Sequence, residues 1–88
     1  MSRAAKFDWD DANTGHITRH SVTPEEVEQA FANQPLVLAT LKRGGEGRVL
    51  CAGLTDAGRA LQFVYTMRRG KVRVIIAHTA KRKVKEKL

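Results

Sequence analysis

Apolar positions fall at helical spacing in the first third of the chain and at alternating spacing in the rest. The clearest helical signal is Val22-Thr23-Pro24-Glu25-Glu26-Val27. Thr23 suits an N-cap, Pro24 the first helical position, and Glu26 the acidic site of a capping box. Val22 and Val27 stand where a hydrophobic staple forms. Val27, Ala30 and Phe31 then make one apolar face, and Gln34-Pro35 stops the helix. Upstream, Phe7-Asp8-Trp9 reads as a short extended piece, and Asp10 or Asp11 caps an earlier helix running to about His20. Asn13, Thr14, Gly15 and Thr18 are poor helix formers, so that helix depends on packing of Trp9 and Ile17.

From Leu36 onward the pattern predicts strands over residues 36–42, 48–55, 60–68 and 71–78, rich in Val, Ile, Leu and aromatics. The glycine-bearing segments 43–47, 56–58 and 69–70 separate them and leave no room for crossover helices, which implies an antiparallel meander. A two-residue turn at Arg69-Gly70 pairs Arg68 with Lys71, Thr66 with Arg73, Val64 with Ile75 and Gln62 with Ala77. Leu61, Phe63, Tyr65, Met67, Val72, Val74 and Ile76 then share a core face, with His78 opposite Leu61. The other face is mixed and exposes Thr66, Arg68, Lys71 and Arg73. Residues 79–88 place Ala80, Val84 and Leu88 four apart among lysines and arginines, a short basic amphipathic helix or a frayed tail. The expected fold is α+β: two N-terminal helices packed on a four-stranded antiparallel sheet, then a short basic C-terminal helix.

Eighty-eight residues make one domain, expected over residues 1–88. Hydrophobic residues at 42% and charged residues at 28% exclude wholesale disorder. No apolar run is long enough to span a bilayer and no signal peptide opens the chain, so an intracellular, cytoplasmic address without membrane contact is expected. The lone Cys51 excludes an internal disulfide and a cysteine-built zinc site. Net charge is +7, and it is segregated. Residues 1–41 carry three basic and six acidic side chains, net −3; residues 42–88 carry thirteen basic and three acidic, net +10. Such a field attracts polyanions: nucleic acid, an acidic surface or an acidic protein.

Several ordered motifs run through this framework: Phe7-x-Trp9-Asp10, Asn13, and Arg19-His20-x-Val22-Thr23-x-Glu25-Glu26. Glu46-x-Arg48, Gly53, Gly58-Arg59-x-Leu61, Val64-Tyr65-Thr66, Arg69-Gly70 and Arg73-Val74-Ile75-Ile76-Ala77 follow. In order and spacing they resemble the BrnT-like toxins of bacterial type II toxin–antitoxin modules. Ser21 stands where that family usually has glycine, and His78 follows Ala77 where arginine is usual. The resemblance implies a small RelE-type α+β protein that cleaves RNA, inhibits translation and growth, and is neutralised by a cognate antitoxin. The antitoxin is expected to be of ribbon-helix-helix type, and operator DNA is met only through the antitoxin complex. The rival is a non-catalytic basic module that grips nucleic acid or an acidic protein, or an inactive relative of the toxins.

A metal-independent ribonuclease must deprotonate the RNA 2′-hydroxyl, protonate the departing 5′-oxygen and stabilise charge on phosphorus. No metal or organic cofactor is expected. Arg73 and Arg59 are the expected phosphate stabilisers, since a guanidinium fork matches two phosphate oxygens. Arg48, Arg69, Thr66 and Lys81 are expected RNA contacts, and Lys81 is also an alternative acid. His78 or Glu46 handles the protons. Each has a plainer reading: Arg73 and Thr66 as a solvated cross-strand pair, His78 as a satisfied core histidine, Glu46 as a flexible turn residue. His16 and His20 are four apart, a metal-ligand spacing, but no third ligand stands nearby; His20 is expected to anchor the turn between the helices. Cys51 is expected to be buried and inert.

Overall fold

The computed structural model describes residues 5–88, so the first four positions of the expected domain lie outside the described residues. Its elements run α1 (Asp11–Thr18), α2 (Pro24–Ala32), β1 (Leu36–Arg43), β2 (Glu46–Leu54), β3 (Ala60–Arg68), β4 (Lys71–Thr79) and α3 (Arg82–Lys85). The strands form one antiparallel sheet in the order β1-β2-β3-β4. The fold is therefore the α+β arrangement read from the sequence, with a shorter first helix. No helix among the described residues is long and apolar enough to cross a membrane.

Both N-terminal helices start on reciprocal caps. Asp10 accepts from the Asn13 N–H while Asn13 bonds back to the Asp10 N–H; Thr23 and Glu26 do the same for α2. Asn13 also closes a longer circuit: its buried amide donates to the carbonyls of Asp8 at 2.9 Å and Val74 at 3.1 Å. This is how a helix of poor formers is held against β4. The turn after it carries Ser21 at φ +58°, a left-handed conformation that glycine adopts more cheaply.

The core is Ile17, Val22, Val27, Ala30, Cys51, Leu61, Phe63, Val72, Val74 and Ala77, flanked by Phe7, Trp9, Phe31 and Tyr65. Phe31 meets Phe7 and Tyr65 edge-on at 5.5 and 5.3 Å, the geometry aromatic quadrupoles favour. Gly53 lets α2 lie directly on β2: a Cβ there would stand 2.7 Å from the Ala30 carbonyl oxygen. Burial pushes the Cys51 thiol up to about 12, so it carries no thiolate near neutrality.

Three expectations change. Glu46 does not sit in a flexible loop: Gly44 and Gly45 take left-handed φ of +57° and +83°, which closes a two-residue turn and makes Glu46 the first residue of β2, paired with Arg43. The expected β3–β4 register holds from Arg68↔Lys71 to Thr66↔Arg73, then slips at a bulge, because Tyr65 pairs with Val74 while Val64 pairs with Ile76. One extra residue reverses the parity beyond it. Ala77 thus reaches the core in place of Ile76, and His78 pairs with Gln62 rather than lying opposite Leu61. Met67, expected in the core, is 56% exposed because it lies at the hairpin end beyond the helices' cover.

The two outer strands differ. Beside β4, the Asp8 N–H donates to the Val72 carbonyl and the Val72 N–H to that of Lys6, both at 2.8 Å. Among the described residues no strand pairs with the other edge, β1, and its Leu36, Val37 and Leu41 are exposed.

Candidate active site

Arg48, Thr66 and Arg73 are partners across three adjacent strands. Alternation puts all three on one sheet face, and Glu46 joins them two residues before Arg48. They line a cleft of about 260 Å³, closed by Ala12, Asn13 and His16 of α1 and by Arg68, Val74 and Ile75. Glu46 Oε2 lies 3.1 Å from Arg48 Nε, and Glu46 Oε1 lies 3.9 Å from Arg68 Nη2. Thr66 is buried, and its hydroxyl donates to the Gly47 carbonyl at 2.6 Å. It therefore fixes the backbone between Glu46 and Arg48 rather than offering its proton to a ligand.

Arg73 is the most enclosed cation among the described residues, its side chain 15% exposed. Its guanidinium takes both oxygens of Asp10, at 3.0 and 3.3 Å, and reaches Asp8 at 3.5 Å. The bond from Arg73, reinforced by the Asn13 N–H, holds the Asp10 carboxyl below its ordinary range. The same bond to Asp10 makes Arg73 hold its proton more firmly. In the resting cleft, Arg48, Arg68 and Arg73 thus face the carboxylates of Glu46, Asp8 and Asp10. A phosphate entering here exchanges one anionic partner for another. Next to it a second, equally cationic concavity of about 570 Å³ is lined by Asp8, Arg68, Arg69 and Lys71, and Arg68 borders both.

Of the residues nominated from sequence, the cleft brings together Glu46, Arg48, Thr66 and Arg73, with Arg69 in the adjoining concavity. It does not bring Arg59. That guanidinium donates to both carboxylate oxygens of Glu26 at 3.0 Å, to the Ser21 carbonyl at 2.8 Å and to the Thr79 hydroxyl at 2.9 Å. It ties the α1–α2 turn, α2 and the end of β4 together. Burial pushes the Glu26 carboxyl up, but the Thr23 N–H and Arg59 outweigh it and hold it below its ordinary range.

His78 shares the sheet face of Arg73 but lies five residues further along β4. Its Nδ1 is 2.9 Å from the Thr79 carbonyl, and its ring meets that of His20 at 6.2 Å. Lys81 is exposed, with its N–H bonded to the Gln62 side chain. Arg68 and His16 also line the cleft, beyond the residues nominated from the sequence. The sequence signal for His16 lies in the helix: once Asn13 and Ile17 face inward, His16 must flank them. Among the described residues no group of three or more His, Cys, Asp or Glu is placed to hold a metal ion.

A family model described as the ribonuclease toxin BrnT of type II toxin–antitoxin systems matches residues 9–83. No curated protein matches the chain.

Proposed function

The chain belongs to the BrnT family of ribonuclease toxins of type II toxin–antitoxin systems, and from that premise we propose that it cleaves RNA in the cleft of Glu46, Arg48, Arg68 and Arg73. The observation that carries this reading is the convergence of one carboxylate and three guanidinium groups, from three strands, in one concavity. In the proposed reaction the RNA 2′-hydroxyl attacks the adjacent phosphorus, a 2′,3′-cyclic phosphate forms, and the bond to the 5′-oxygen breaks. Glu46 accepts the 2′-hydroxyl proton. Arg48 and Arg73 hold the non-bridging oxygens as charge builds on them. Arg69 and Lys71 grip the backbone further along, and Lys81 adds long-range attraction. Arg59 is assigned to the scaffold, and Thr66 to positioning Glu46 and Arg48.

The family implies an antitoxin partner and an RNA target. The proposal adds that the toxin acts in the cytoplasm and meets operator DNA only through the antitoxin complex. The open, apolar β1 edge supports a covering protein partner, because an unpaired strand of this kind otherwise invites self-association.

The test is cleavage of a labelled RNA by the purified chain in the presence of a chelator, beside Arg73→Ala and Glu46→Gln. Wild-type products carrying 2′,3′-cyclic ends, with turnover reduced at least about 100-fold in both variants, are expected. Binding without cleavage by the wild type, with the salt slope lowered by about one in Arg73→Ala, would replace this reading with a non-catalytic module. Folded protein that neither binds nor cuts would mark an inactive toxin.

A further inference from the structure

The proposed reaction leaves one proton without a donor: the departing 5′-oxygen must be protonated as its bond to phosphorus breaks. Three histidines form a row on this side of the molecule. The rings of His16 and His20 are 5.9 Å apart, and those of His20 and His78 are 6.2 Å apart. Only His16 lines the cleft. Among the described residues its imidazole has no hydrogen-bond partner, whereas His78 already engages the Thr79 carbonyl through Nδ1. The His16 ring nitrogens are not buried, so water in the cleft reaches them and a ligand there can take its place. His16 is also firmly placed. Asp10 fixes the start of α1 to Arg73, and Asn13, one turn before His16, fixes it to Val74.

The position suits the task. Glu46 stands on β2, whereas α1 packs against β4, with β3 between. Second-neighbour strands are about 9.5 Å apart, so the carboxylate and the imidazole enter the cleft from its β2 and α1 sides, with the floor of the cleft between them. A displacement at phosphorus with entering and leaving oxygens in line needs its base and acid on opposite sides. We propose that His16, in its protonated form, is the general acid that delivers a proton to the 5′-oxygen leaving group. Glu46 ends the step protonated and His16 neutral, and solvent exchange restores both. This inference rests on the RNA-cleaving reading of the cleft.

The test replaces the 5′-oxygen at a mapped cleavage site by sulfur, giving an RNA with a 5′-bridging phosphorothiolate, whose thiolate departs without needing a proton. The wild type, His16→Gln, His16→Ala and Glu46→Gln are each assayed on the oxygen and sulfur substrates. On oxygen, both His16 variants are expected to be slower by about 10²–10⁴-fold. On sulfur they should return to within about threefold of the wild type, while Glu46→Gln stays slow on both. His16 variants that cut the oxygen substrate normally would overturn the proposal, and so would variants equally slow on both substrates. A wild type that cuts neither would defeat the ribonuclease reading itself, separately from any result on His16. Neither substitution removes a hydrogen bond made by the ring, and a matching Trp9 fluorescence melt identifies the folded variant.

Discussion

Replacing Arg59 by alanine separates scaffold from chemistry most sharply. The side chains of Arg59 and Glu26 are 30% and 27% exposed, so their two-oxygen ion pair is worth about 1 kcal/mol. The bonds to the Ser21 carbonyl and the Thr79 hydroxyl add about 0.5 kcal/mol each, in the lower range for exposed hydrogen bonds. Arg59→Ala should therefore destabilise the protein by about 2 kcal/mol. For a chain of this size that lowers the melting temperature by roughly 8–16 °C. Arg59→Lys should recover about half, because an ammonium reaches Glu26 but lacks the fork that serves three partners. Urea unfolding followed by Trp9 fluorescence measures the loss, and RNA cleavage at 20 °C, where every variant is folded, measures the chemistry. Cleavage should stay within about threefold of wild type, as the guanidinium lies outside the cleft. Unchanged stability together with a hundredfold loss of cleavage would refute the reasoning and return Arg59 to the phosphate.

Gly53→Ala should cost about 1–3 kcal/mol, the usual range for overpacking, because the added carbon would press on the Ala30 backbone 2.7 Å away; a thermal melt within 2 °C of wild type would show that α2 moves aside freely. Acid should also destabilise the fold. Asp10 and Glu26 both titrate below their ordinary values in the folded chain, so their contribution is complete above the unfolded carboxylate range near about pH 4 and disappears as pH falls through their lower folded values. Urea midpoints should therefore drop between pH 5 and pH 3, and Asp10→Asn with Glu26→Gln should be weaker at pH 6 but show a shallower drop. An equally steep drop in the double variant would place the acid sensitivity elsewhere.

The local grammar of this chain was legible because it depends on neighbours in sequence. The reciprocal cap at Thr23, a cap at Asp10 or Asp11, the staple of Val22 and Val27, the strand spans and the meander all follow from short-range stereochemistry and alternation. The tight Arg69-Gly70 turn fixed the pairing of Thr66 with Arg73, and with it half of the cleft. Glu46 and Arg48 were recognisable as chemistry-bearing residues, although the glycines around them look like a loose loop until their left-handed turn is seen to launch β2.

The rest depended on contacts between distant segments. The bulge that moves His78 off the core parity lies next to the Val74 carbonyl, which accepts the amide of Asn13 from 61 residues earlier; no periodicity within β4 signals it. Arg59 and Arg73 look alike as isolated arginines. Tertiary structure gives Arg59 a carboxylate, a carbonyl and a hydroxyl on the helix side, and places Arg73 at the cleft between two aspartates. His16 became part of the site only when α1 docked on β4. The sequence by itself determined which elements form and, up to the bulge in β4, which face is apolar, because capping, turn geometry and alternation are local. Which cations, carboxylates and imidazoles share a concavity was decided by packing, because side-chain environment is set by whatever the folded chain brings alongside.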